Sequence, residues 1–109
     1  MRRVALLIAV VLTGAVCRPA LALTNADVLD KMEQKEQYAY ITSVVHTNSY
    51  FAYLERNSAT SKCIGSYLKK DGAWDRLLAA LDHFRDKSPQ AVIYTLLKRD
   101  CGDPLAGSK

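Results

Sequence analysis

Two cysteines, Cys63 and Cys101, stand 38 positions apart and enclose most of the helical pattern in the chain's second half. A third, Cys17, lies in a segment that reads as removable. Arg2 and Arg3 form a positive start, Val4 to Leu12 is an unbroken apolar run, and Ala20-Leu21-Ala22 is a small-x-small cleavage pattern. Together they spell a secretory signal peptide over residues 1–22. The run falls short of the roughly 20 apolar residues that span a bilayer, so no membrane attachment is expected after cleavage. Val16 next to Cys17 suits lipid modification poorly, and Cys17 is expected to leave with the signal. The expected compartment is periplasmic or extracellular. In such an oxidising space, two remaining cysteines imply a Cys63–Cys101 disulfide. Metal binding is the competing use of a Cys pair. It needs further ligands at close spacing, and His46 and His83 are isolated, so neither a metal nor another cofactor is expected.

Cleavage after Ala22 leaves 87 of the 109 residues, read as one helical domain over 23–109. A chain of that size is near the limit at which a core alone suffices. Closing a loop of this length is worth about 4 kcal/mol in the chain-entropy model, comparable to the whole stability of a small domain. The formal charge of +4 misleads, because Arg2, Arg3 and Arg18 leave with the signal and about +1 remains. The other cations are interleaved with Asp and Glu, which excludes a nucleic-acid stripe.

The pattern predicts four helices and no strand. Thr24 with Asp27 three positions on resembles a capping box, opening a short helix over about Asn25–Glu33. From Met32 to Ile41 the apolar phase slips by half a turn, which predicts a break near Gln34-Lys35. A long helix follows, about Glu36–Arg56. Its stripe is Ile41, Val44, Val45, Asn48, Phe51 and Ala52, and Tyr38, Tyr40, Tyr50 and Tyr53 flank it. Asn57 to Ser61 reads as a polar loop, and Gly65 to Lys70 as one short turn. Trp74, Leu77, Leu78, Leu81 and Phe84 form the clearest amphipathic helix, with Asp71 as a candidate cap. Ser88-Pro89 starts the last helix, which carries Val92, Ile93, Leu96 and Leu97. Gly102 is placed for a left-handed cap, and Asp103 to Lys109 reads as a frayed tail.

No catalytic set emerges. His46 lies near Ser43 and Ser49 on one helix, but no orienting group or oxyanion element accompanies them. Asp75, Asp82 and Asp86 are interleaved with Arg76, Arg85 and Lys87, the pattern of a solvated face. The chain is therefore expected to bind rather than catalyse. Its candidate protein-binding residues lie where the long helix meets the polar loop: Tyr50, Tyr53, Arg56 and Asn57. Tyrosine and arginine are favoured anchors at interfaces. The plainer reading of each tyrosine is cover for the edge of the core.

The run Glu36-Gln37-Tyr38-Ala39-Tyr40-Ile41-Thr42-Ser43-Val44-Val45 resembles the long-helix motif of the Rap/Tai-type immunity proteins. Cys63-Ile64, the Trp74–Phe84 helix, Ser88-Pro89 and Cys101 follow in that family's order, so the resemblance covers about Met32 to Gly102. It implies a small exported helical fold that protects bacteria from type VI secretion peptidoglycan amidases by binding them. The implied partner is a secreted amidase, with a second copy of the chain as another candidate. The alternative is a periplasmic acid-stress chaperone of the HdeA-like kind, also small, helical and disulfide-bonded. All 11 acidic residues lie after the signal segment, so acid would drive such a chain far positive.

Overall fold

The computed structural model describes residues 23–107. The segment read as a signal peptide, Cys17 included, lies outside the described residues. The described residues are all-helical, without a strand. There are five α-helices, not four: α1 Asn25–Lys31, α2 Gln34–Leu54, α3 Ser58–Gly65, α4 Ala73–His83 and α5 Pro89–Cys101. A 3-10 turn at Tyr67–Lys69 joins α3 to α4.

The additional helix is α3, in the stretch read as a polar loop. Its sequence, SATSKCIG, carries too few apolar residues to show a period. Asn57 nonetheless caps it, its Oδ1 accepting from the Thr60 amide at 3.3 Å. Tertiary packing supplies the rest, since α3 lies along α2 in the most extensive helix contact of the fold. Ser49 Oγ donates to Ser61 O at 2.9 Å, and Ser61 Oγ returns a bond to Ser49 O at 3.0 Å. This reciprocal pair satisfies two hydroxyls inside the seam.

Local start signals match the pattern well. In the Thr24 capping box the Asp27 amide donates to Thr24 Oγ1 and the Thr24 amide to Asp27 Oδ2, at 3.2 and 3.0 Å. Ser88 caps α5, with Pro89 at its first position. The break between α1 and α2 falls at Met32-Glu33, slightly earlier than predicted. There the Glu33 amide donates to Glu36 Oε1 at 3.0 Å, which starts α2 at once. Asp71 does not cap α4. Gly72 takes that position with φ +77°, a left-handed turn that glycine adopts without steric cost.

The core collects Val28 from α1, Ile41 and Val45 from α2, and Ile64 from α3. Leu77 and Leu81 of α4 and Ile93 and Leu97 of α5 join them, with Val44, Tyr67, Ala73 and Leu96 also buried. Each fully buried Leu or Ile contributes about 1.5–3 kcal/mol relative to exposure. Two stripe residues fall outside the core. Phe51 is 40% exposed and Phe84 44%, because Phe84 sits past the last turn of α4, where the chain leaves the helix. The tail is not frayed through its described part. Pro104 is buried, and Tyr94 OH donates to Asp103 Oδ1 at 2.5 Å. The α1 start docks on the α4–α5 connection, where the Asn25 and Ala26 amides donate to Lys87 O and Arg85 O.

Candidate functional site

The last two turns of α2 put Tyr50 and Tyr53 side by side. Three residues apart on a helix, they share a face, and their rings stack with centroids 6.2 Å apart and planes 20° from parallel. Tyr53 is 67% exposed, and Leu54 beside it is also largely in water. The chain then turns at Arg56, whose φ of +61° is the only positive value among the described non-glycine residues. That left-handed step costs about 1–2 kcal/mol for a residue with a Cβ. It ends α2 and lets α3 begin at Ser58. Tyr53, Leu54, Arg56 and Ser58 line an open depression of about 470 Å³.

Three of the four predicted residues therefore meet at one surface. Asn57 is employed differently. Its Oδ1 caps α3, and its Nδ2 donates to Ala106 O at 3.4 Å, so both ends of the side chain serve the fold. Leu54 belongs to the surface too, but it lies off the apolar stripe of α2, so periodicity does not select it. An apolar residue off the stripe in the last helical turn was the available signal. Around the helix, Phe51 and Leu105 share a second exposed depression with Tyr94. Leu105 is brought there by the folding back of the tail, which no local pattern announces.

The disulfide side of the molecule is built differently. Cys63 and Cys101 are bonded, with Cα atoms 5.6 Å apart. Tyr67 is fully buried and its hydroxyl donates to Asp100 Oδ2 at 2.6 Å, while Arg76 approaches both groups. Burial and the neighbouring carboxylate push the Tyr67 phenol above its usual range. The Tyr67 hydroxyl, helped by Arg99 and Arg76, holds the Asp100 carboxyl below its ordinary value of 3.8. Asp103 is lowered likewise by the Tyr94 hydroxyl and the Leu105 amide. These are pairs in which each group satisfies the other.

The Ser–His arrangement on α2 does not assemble, because Ser49 spends its hydroxyl on Ser61. Asp82 pairs with Arg85, which also reaches Asp30. Among the described residues there is no group of three or more His, Cys, Asp or Glu able to hold a metal ion, and no helix is long and apolar enough to cross a membrane. Compared with known family models, curated proteins and solved structures, the chain matches none.

Proposed function

We propose that this chain is an exported inhibitor that works by binding another protein, in the manner of the immunity proteins whose long-helix motif it resembles, with a secreted peptidoglycan amidase as target. The observation that carries the reading is the stacked Tyr50–Tyr53 pair, with Leu54 beside it, held in water at the end of a 21-residue helix. Large aromatic groups left exposed on a stiff support are what an interface hot spot needs, because little side-chain entropy is lost on docking. Arg56 adds a cation at the rim, where charge tunes recognition. The α2–α3 seam and the disulfide limit movement of the surface.

The test is calorimetric titration against a candidate amidase. Tyr53→Ala and Arg56→Ala are each expected to weaken binding by more than about 1 kcal/mol with the melting temperature unchanged. Affinity that survives both substitutions would place the interface elsewhere.

A second reading, an acid-stress chaperone, is favoured by one observation. Asp100 and Asp103 hold Tyr67 and Tyr94 through their carboxylates, so acid loosens those ties. Under that reading the purified protein suppresses aggregation of a client protein at about pH 2–3, where carboxylates are protonated. Lack of protection there removes it.

A further inference from the structure

On the N-terminal half of α2 a cleft of about 400 Å³ opens between that helix, the end of α3, the 3-10 turn and the start of α4. That volume falls within the range of small-molecule sites. Tyr38 and Trp74 form one wall, their rings 5.5 Å apart and tilted by 46°. Val45, Ile64 and Leu68 supply an apolar floor. One feature beyond shape separates the cleft from an ordinary packing defect. The ionisable lining is one-sided: Lys69 and His46 are present and no carboxylate is.

From this geometry we infer a second binding site, for a small monocarboxylate with an apolar ring or branched body. The body lies against Trp74 and the aliphatic floor, and the carboxylate meets Lys69. A single lysine matches a single negative charge, whereas a dianionic phosphate calls for more donors or an arginine fork. Gly65 lines the cleft, and a Cβ there would meet only Ser49 Oγ, at an ordinary 3.5 Å.

The chain carries one tryptophan, Trp74, so its fluorescence reports directly on this cleft. The probes are cyclohexanecarboxylate and its neutral counterpart cyclohexanemethanol, titrated into the purified protein. The expected result is a saturable change with both, the carboxylate binding about tenfold tighter through its charge-assisted bond. Lys69→Met should erase that preference and leave alcohol binding intact. Absence of a saturable response to either probe overturns the site. A carboxylate preference that persists in Lys69→Met overturns the assignment of the charge. Lys69 is exposed, so Lys69→Met is expected to leave the fold intact. The proposal stands apart from the inhibitory reading, and Tyr53→Ala should leave probe binding unchanged.

Discussion

Tyr67 and Tyr53 are the same residue in opposite circumstances. Tyr67 is wholly buried, its hydroxyl bonded to Asp100 and its surroundings stapled by Cys63–Cys101. Tyr53 is two-thirds exposed and its ring rests on Tyr50. One end of the molecule uses aromatic and charged groups to satisfy one another. The end of α2 leaves comparable groups facing water. The contrast teaches where stability resides and where a partner has something to hold. Substitutions on the stapled side should cost stability, and substitutions at the α2 tip should cost binding.

The strongest way to break this contrast is to remove the staple. Cys63→Ser with Cys101→Ser is expected to lower the unfolding free energy by about 4 kcal/mol, measured by urea denaturation. A loss well under that figure would move the source of stability to the helix seams. Gly102→Ala comes next. Gly102 has φ +111° and ψ 162°, a region essentially closed to other residues. An added Cβ would also lie 2.8 Å from Thr60 Oγ1, which donates to Cys101 O. The combined strain is expected to cost about 1–3 kcal/mol, visible as a lower melting temperature.

A finer comparison lies within the candidate surface itself. Asn57→Ala should cost about 1 kcal/mol of stability, as an N-cap does, whereas Tyr53→Ala should change stability by less than about 0.5 kcal/mol. If Tyr53→Ala proves the more destabilising, the tyrosine is cover for the core and the surface reading weakens.

The smallest effect is graded with pH. The Asp100 and Asp103 carboxyls have folded-state pKa values below the ordinary aspartate value. The unfolded chain therefore binds protons first, and the stability these groups contribute is present above 3.8 and is lost as pH falls through their lower folded values. Tyr67 acts at the other extreme. Its raised value means stability declines as pH rises past 10.0 toward that higher value. Denaturation midpoints across pH should fall at both ends, and Tyr67→Phe should reduce the alkaline decline, leaving the part owed to the raised Tyr40 and Tyr94 phenols.

Much of the helical framework was legible before any tertiary contact was known. Thr24/Asp27 and Ser88-Pro89 act through bonds to residues at most four positions away, so sequence alone identifies them. Trp74 to Leu81 and Val92 to Leu97 repeat at the helical period, and the buried faces follow. The cysteine count together with the expected compartment paired Cys63 with Cys101. The candidate surface was legible in part, because exposed Tyr50, Tyr53 and Arg56 lie at the end of a readable helix.

What the tertiary structure decided depended on contacts between distant residues. The helix at Ser58–Gly65 is too polar to display a period and forms because α2 gives it a seam. Tyr67 became a core residue only because the 3-10 turn faces it toward Asp100, 33 positions away. Phe51 and Phe84, apolar and in phase, stay partly exposed, Phe84 because its own helix ends just before it. Asn57 was drawn from the surface by Thr60 and Ala106, the second nearly fifty positions on. Periodicity says which face of a helix is apolar, but it does not say how far along that face another element will reach.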